Sequence, residues 1–268
     1  MNRIEQRFAN LKAVGQKGFV AYIGAGDPDL EHTRQLALAL DGAGVDVLEL
    51  GVPFSDPLAD GLVNQLAAQR GLASGTTPPA LLKTVADIRR DSQVPIVLYI
   101  YFNLMHQHGL KKFMNDAKAS GVDGMLTLDL PPEEADEYAQ LMHETELCSI
   151  WLVAPTTPEE RVKSIVRNGS GFIYYISREG VTGMQQNVAV SIKDKTSVIR
   201  QHTKLPIAVG FGISSPDQAR QVADCADAVV VGSAIVNQIA EHGAGNNLAG
   251  HVADYVKTLV DAVKPPIS

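Results

Sequence analysis

The sequence predicts an α/β fold, a single (β/α)8 TIM barrel with an additional N-terminal helix, and three observations lead there. The chain has 268 residues, close to the ~250 typical of one such barrel. Strand-like and helix-like segments alternate from end to end, the pattern of βα units around a parallel sheet. The strand-like segments number eight, which is the count that closes into a barrel. Residues 1–268 are therefore read as one domain, with no linker-like or low-complexity stretch dividing them.

An amphipathic segment, 4–14, comes first and is expected to cap the barrel bottom. Strands follow at 19–23, 45–50, 95–101, 123–129, 147–153, 171–177, 205–209 and 228–231, each a short apolar run suited to a sheet covered on both faces. Between them, amphipathic stretches at 31–42, 110–120, 132–144, 158–168 and 216–223 read as helices, several opened by proline or by acids in the first turn. Two connections are long: 51–60 after the second strand, and 178–189 after the sixth, with Gly180 and Gly183 as candidate hinges. Loops of that length in a compact domain are usually functional. Both belong to the C-terminal face, where barrel enzymes carry their active sites.

Composition narrows the function. Net charge is −7 and no Lys/Arg block stands out, so nucleic acid and anionic membrane are poor partners, since both need a concentrated basic surface. The longest apolar runs are of strand length and the first residues, Met1-Asn2-Arg3-Ile4-Glu5-Gln6-Arg7, lack a hydrophobic signal core, so a cytoplasmic location is expected. Cys148 and Cys225 have no metal-ligand spacing and are read as reduced packing residues; no metal site is expected.

One carboxylate stands out. In Val45-Asp46-Val47-Leu48-Glu49-Leu50 the side chains alternate between faces, so Glu49 is expected to share an inward face with Val45 and Val47. Burying an ionised group there costs several kcal/mol or drives its pKa upward. Such a residue needs a partner or a task. On the same rim, the seventh strand ends in Gly210-Phe211-Gly212-Ile213-Ser214 and the eighth in Gly232-Ser233-Ala234 at the start of a short helix. Loops after strands seven and eight with a helix N-terminus form the recurring phosphate site of this architecture. Gly183, on the sixth loop, is placed to close its third side.

The run Leu48-Glu49-Leu50-Gly51-Val52-Pro53-Phe54-Ser55-Asp56-Pro57-Leu58-Ala59-Asp60-Gly61 occurs together with Ala25-Gly26-Asp27-Pro28, Ser177-Arg178 followed by Gly180-Val181-Thr182-Gly183, and Gly210-Phe211-Gly212-Ile213-Ser214. Over essentially the whole chain this combination resembles the tryptophan synthase alpha subunit family. The resemblance implies a lyase of tryptophan biosynthesis that splits indole-3-glycerol phosphate into indole and glyceraldehyde 3-phosphate by a retro-aldol step. It implies Glu49 as the acid–base group, Asp60 opposite the indole N–H, and Tyr174 near both Glu49 and the substrate. The implied phosphate ligands are Gly183, Gly212, Gly232 and Ser233, and Thr182 is implied to close the lid against Asp56 or Asp60. Tyr22, Ile100, Leu126, Phe211 and Val231 are the candidates for the indole pocket.

The same resemblance implies a partner, a beta subunit in an α2β2 heterotetramer that carries pyridoxal phosphate, with no cofactor in this chain. The implied contacts are the second loop, Asn103 and the Asp129-Leu130-Pro131 turn. Some positions depart from the family pattern: Leu62 replaces a usual proline, Asn64 a usual aliphatic, Leu104 a common proline, Tyr99 and Ile100 smaller or differently shaped residues, and Glu179 adds an acid to the sixth loop. Two other readings stay open at this point, a subunit that mainly activates the beta subunit, and a barrel enzyme acting on another phosphorylated substrate.

Overall fold

Eight parallel strands pair in sequence order in the computed structural model, and the first also pairs with the last, closing the barrel. They are β1 (Gly18–Gly24), β2 (Val47–Gly51), β3 (Ile96–Ile100), β4 (Gly124–Thr127), β5 (Cys148–Val153), β6 (Ile173–Ile176), β7 (Ile207–Gly210) and β8 (Ala228–Val231). Around them lie α1 (Arg3–Ala13), α2 (Leu30–Gly42), α3 (Leu62–Ala73), α4 (Pro78–Ile88), α5 (Phe102–His108), α6 (Leu110–Ser120), α7 (Asp136–Glu144), α8 (Glu159–Arg167), α9 (Gln185–His202), α10 (Pro216–Ala223), α11 (Ser233–His242) and α12 (Leu248–Val263). The structure describes residues 1–176, 185–210, 212–243, 245 and 247–264, and only the backbone for 185–190. All eight strands fall where the sequence pattern puts them, most of them a few residues shorter. The helix expected over 132–144 divides into a single 3-10 turn, Pro132–Glu134, and α7.

The strands are near-continuous in apolar residues because both faces are covered. Inside the barrel Val20, Val47, Val97, Leu126, Ile150, Phe172, Ala208 and Val230 pack together. Outside it, Ala21, Leu48, Leu50, Leu98 and Val229 meet the helices. Val45 belongs to this outer layer and not to the face of Glu49: the strand begins only at Val47, so strict alternation does not extend back to residue 45. The N-terminal helix plugs the bottom as expected. Its buried stripe of Ile4, Phe8 and Leu11 joins the inner cluster, and an Asn2/Glu5 capping box starts it. Asn2 Nδ2 also donates to the carbonyls of Asp123 (2.7 Å) and Glu146 (3.0 Å), tying the helix across the barrel floor.

A repeated device closes the strand starts at that floor. Asp46, just before β2, accepts the N–H of Phe19 at 2.8 Å; Asp123, just before β4, accepts that of Ile96 at 2.8 Å; and Asp227, just before β8, accepts that of Ile207 at 2.9 Å. Each carboxylate is paired with a cation, Asp46 with Arg7 and Lys264, Asp123 with Arg89 and Arg3, Asp227 with Arg200. The Asp123–Arg89 pair is the most enclosed: at 2.7 Å it has side chains only 4% and 9% exposed, and burial lowers the pKa of Arg89 to about 10. Asp123→Ala leaves that buried guanidinium without its counter-charge and the Ile96 N–H without its acceptor. The expected loss is about 3–5 kcal/mol of unfolding free energy, measured as a lower urea midpoint with unchanged slope; a loss under ~1 kcal/mol contradicts the assigned role.

Candidate active site

A cavity of about 570 Å³ opens at the C-terminal ends of the strands, with Glu49 in its wall. Inward parity puts it there, because Glu49 lies in register between Tyr22 of β1 and Val97 of β3, and Val97 is an inner-face residue. Glu49 is 1% exposed. Its Oε1 has no hydrogen-bond partner, and burial pushes its pKa up to about 8. Tyr22 and Tyr174 stand on the same wall, each with its hydroxyl pKa raised by burial, so both are neutral phenols. Two glycines make room for them. A Cβ on Gly51 would fall 2.2 Å from the Tyr22 hydroxyl, and one on Gly210 would fall 2.6 Å from the Tyr174 hydroxyl.

The loop between β2 and α3 brings the second carboxylate to the same cavity. A turn closed by Asp60 N–H on the Pro57 carbonyl (3.1 Å) sets the loop shape, and Gln65 donates to the Asp60 carbonyl at 2.9 Å. The Asp60 side chain accepts two phenol hydrogen bonds, from Tyr99 at 2.9 Å on Oδ1 and from Tyr101 at 2.8 Å on Oδ2. Tyr101 also accepts the Ala59 N–H at 2.9 Å and rests against Phe54 with ring centroids 5.0 Å apart. Asn64, in the first turn of α3, lines the cavity with a buried Oδ1 that has no partner. Further along α3, Arg70 forms a bidentate pair with the buried Asp27 at 2.7 Å on both oxygens, which anchors the helix to the loop after β1.

At the other end, Gly210, Gly212, Gly232 and Ser233 line the same cavity. Gly212 adopts φ +66°, a left-handed conformation that suits glycine. Gly232 is the N-cap of α11 and provides no side-chain cap, so the first N–H groups of that helix face the cavity mouth. No Lys or Arg side chain lines the cavity among the described residues. An anion held there is met by backbone dipoles.

Seven sequence candidates therefore converge on one cavity: Glu49, Asp60, Tyr174, Tyr22, Gly212, Gly232 and Ser233. Ile100 and Val231 do not, and both correct the expectation. Each is fully buried in the layer between strands and helices, because its strand turns residues 99 and 230 inward instead. Leu126 is on the inner face but does not reach the cavity wall. Asp56 is exposed on the loop, away from that wall. Phe211, Thr182 and Gly183 lie outside the described residues, as do Arg178 and Glu179. The sequence reading had missed Tyr101 and Arg70 as site-building residues, and had noted Tyr99 and Asn64 only as departures. The signal for Tyr99 was available in strand parity, two residues beyond the inward Val97. Among the described residues no group of His, Cys, Asp or Glu could hold a metal ion, and no helix is long and apolar enough to cross a membrane.

Comparison with known proteins gives a consistent picture. The family model for the tryptophan synthase alpha chain matches residues 8–264. A tryptophan synthase alpha chain from Opitutus terrae is 50% identical over 265 residues, covering 98% of this chain and all of the relative. One from Geotalea daltonii is 47% identical over 268 residues, with both chains fully covered. Among solved structures, tryptophan synthase subunit alpha from Legionella pneumophila superposes with a TM-score of 0.91 at 37% identity, covering 98% of each chain.

Proposed function

Because the chain belongs to the tryptophan synthase alpha chain family, an alpha subunit acting in tryptophan biosynthesis, we propose that it is a carbon–carbon lyase splitting indole-3-glycerol phosphate into indole and glyceraldehyde 3-phosphate. The observation that carries this reading is a buried carboxyl with a pKa of about 8 and an unpartnered oxygen, in one cavity with a second carboxylate and a glycine-lined helix N-terminus. These three features match the acid–base centre, the indole nitrogen and the phosphate of the substrate.

In the proposed reaction the protonated Glu49 delivers its proton to indole C3, and the ring becomes an indoleninium with positive charge at the nitrogen. Asp60 accepts a hydrogen bond from that N–H and stabilises the charge where it develops. Glu49, now a carboxylate, takes the hydroxyl proton from the adjoining glycerol carbon. As that O–H electron pair becomes the aldehyde C=O, the bond to C3 breaks and its electrons restore the aromatic indole. Glu49 ends protonated, as it began, so one carboxyl balances both transfers. A pKa near the working pH suits a group that must both give and take a proton. Tyr174 and Tyr22 supply neutral, apolar-bodied wall around it, and Gly212, Gly232 and Ser233, with Gly183, are proposed to hold the phosphate. Thr182 and Asp56 are proposed to take part in loop closure.

The step balances without a cofactor in this chain, and pyridoxal phosphate is assigned to a beta subunit partner in an α2β2 complex in the cytoplasm. Support for a partner on the same rim comes from Leu58 and Leu62, which are 84% and 69% exposed at the loop and the start of α3. Both line the mouth of the same cavity, and large apolar side chains exposed in one region can mark a docking surface.

The test is direct. The purified chain given indole-3-glycerol phosphate, with and without a beta subunit, is expected to release indole in both conditions and faster with the partner. Stimulated beta activity with no indole in either condition favours the activating-subunit reading instead.

A further inference from the structure

The geometry points to Tyr99 as a positioning residue that ties the Asp60 loop to the barrel wall and sets the Asp60 carboxylate for the reaction. The inference rests on the site reading above and adds a residue to it. Asp60 stands on a loop, and each of its two oxygens accepts from a phenol at the end of β3. Tyr101, the buried residue directly after β3, accepts the Ala59 N–H, donates to Asp60 Oδ2 and lies tilted against Phe54 of the Asp60 loop. Tyr99 comes from β3, where its backbone is in register with Gly51 at the end of β2, two residues beyond Glu49. Its ring meets Tyr22 edge-on, with centroids 5.0 Å apart and planes at 69°, and Tyr22 is itself in register with Glu49. The 2.9 Å bond from the Tyr99 hydroxyl to Oδ1 therefore links the loop carboxylate to the rigid wall that carries the acid–base carboxyl.

Burial keeps the Tyr99 phenol protonated, so it serves only as a donor to the carboxylate. Each Asp60 oxygen has a second lone pair, and Tyr99 occupies one site on Oδ1 while leaving the other for a ligand N–H. Fixing a charged acceptor in place before charge develops stabilises a transition state more than a ground state. A loop carboxylate fixed at one oxygen only is free to swing about that bond, and small misplacements are costly in rate.

The test compares the full chain with Tyr99→Phe, Asp60→Asn and the double variant, measuring kcat and KM for indole release. Tyr99→Phe keeps the ring and its edge contact with Tyr22, and removes only the hydroxyl. The expected result is a fall in kcat of roughly 10-fold, with KM within about twofold and no further fall when the same change is made in Asp60→Asn. A merely structural role does not produce that coupling. An unchanged kcat in Tyr99→Phe, a change confined to KM, or the same fall in the Asp60→Asn background overturns the inference. Wild-type turnover in Asp60→Asn overturns the site reading itself, so the two failures are distinguishable.

Discussion

Glu49→Gln is expected to reduce kcat for indole release by roughly 10³- to 10⁴-fold, the upper part of the range for a general acid–base group, because one residue is assigned both proton transfers. KM should change little, since the amide keeps the shape of the side chain and the phosphate end of the cavity is untouched. Relative to wild type, the same variant should gain stability as pH rises. Glu49 has a pKa raised to about 8 in the folded chain, against 4.5 when unfolded. Between those values the unfolded chain loses the proton while the folded chain keeps it. Folding is thereby disfavoured by roughly 1.4 kcal/mol for each pH unit across that window. The penalty is absent below pH 4.5, grows to pH 8 and is constant above it. Relative to wild type, Glu49→Gln should therefore gain stability across that window in denaturant melts taken at several pH values. In wild type, kcat/KM should hold on the acid side and decline above about pH 8, as the free enzyme loses the proton it must deliver. Unchanged turnover in the variant sinks the acid–base assignment, and a flat stability difference sinks the burial argument beneath it.

The second large effect falls on Asp60. Asp60→Asn keeps a hydrogen-bonding side chain between the Tyr99 and Tyr101 hydroxyls, 2.9 and 2.8 Å away in the native chain, so the loop has reason to keep its place. What it removes is the negative charge facing the developing indoleninium. Loss of one electrostatic stabiliser of this kind costs about 10²- to 10³-fold in kcat. The loss should appear in kcat and kcat/KM alike, because the charge it answers exists only past the ground state. A rise in KM with kcat intact means that Asp60 contributes uniform binding only, and that another group carries the charge.

Much of this was legible in the chain itself. Alternation of short apolar runs with amphipathic segments located all eight strands, because strands covered on both faces read as continuous hydrophobic stretches. Parity over Val47, Leu48 and Glu49 placed a carboxylate inside a barrel, and glycine pairs after the last two strands pointed to a phosphate end. The three aspartates that precede β2, β4 and β8 were a legible repeat as well, Val45-Asp46-Val47, Val122-Asp123-Gly124 and Ala226-Asp227-Ala228. Their purpose shows only when the neighbouring strand's N–H is seen at 2.8 to 2.9 Å.

Parity fails where a strand's limits are misjudged. Val45 looked like a companion of Glu49 but precedes the strand. Ile100 and Val231 looked like pocket residues, yet parity from the inward Val97 and Val230 turns both toward the helices. The Asp60–Tyr99–Tyr101 arrangement was out of reach for a different reason. Residues 60 and 99 are brought together by a loop folding back over a strand that two helices separate from it in the chain, and no local spacing encodes such a contact. The sequence by itself determined the barrel, the inward Glu49 and the glycines at the anion end, since these follow from periodicities of neighbouring residues. Tertiary structure alone decided which oxygen of Glu49 is left bare and which phenols hold Asp60. Desolvation and hydrogen-bond partners are properties of the enclosed space, and that space exists only once all eight strands have closed around it.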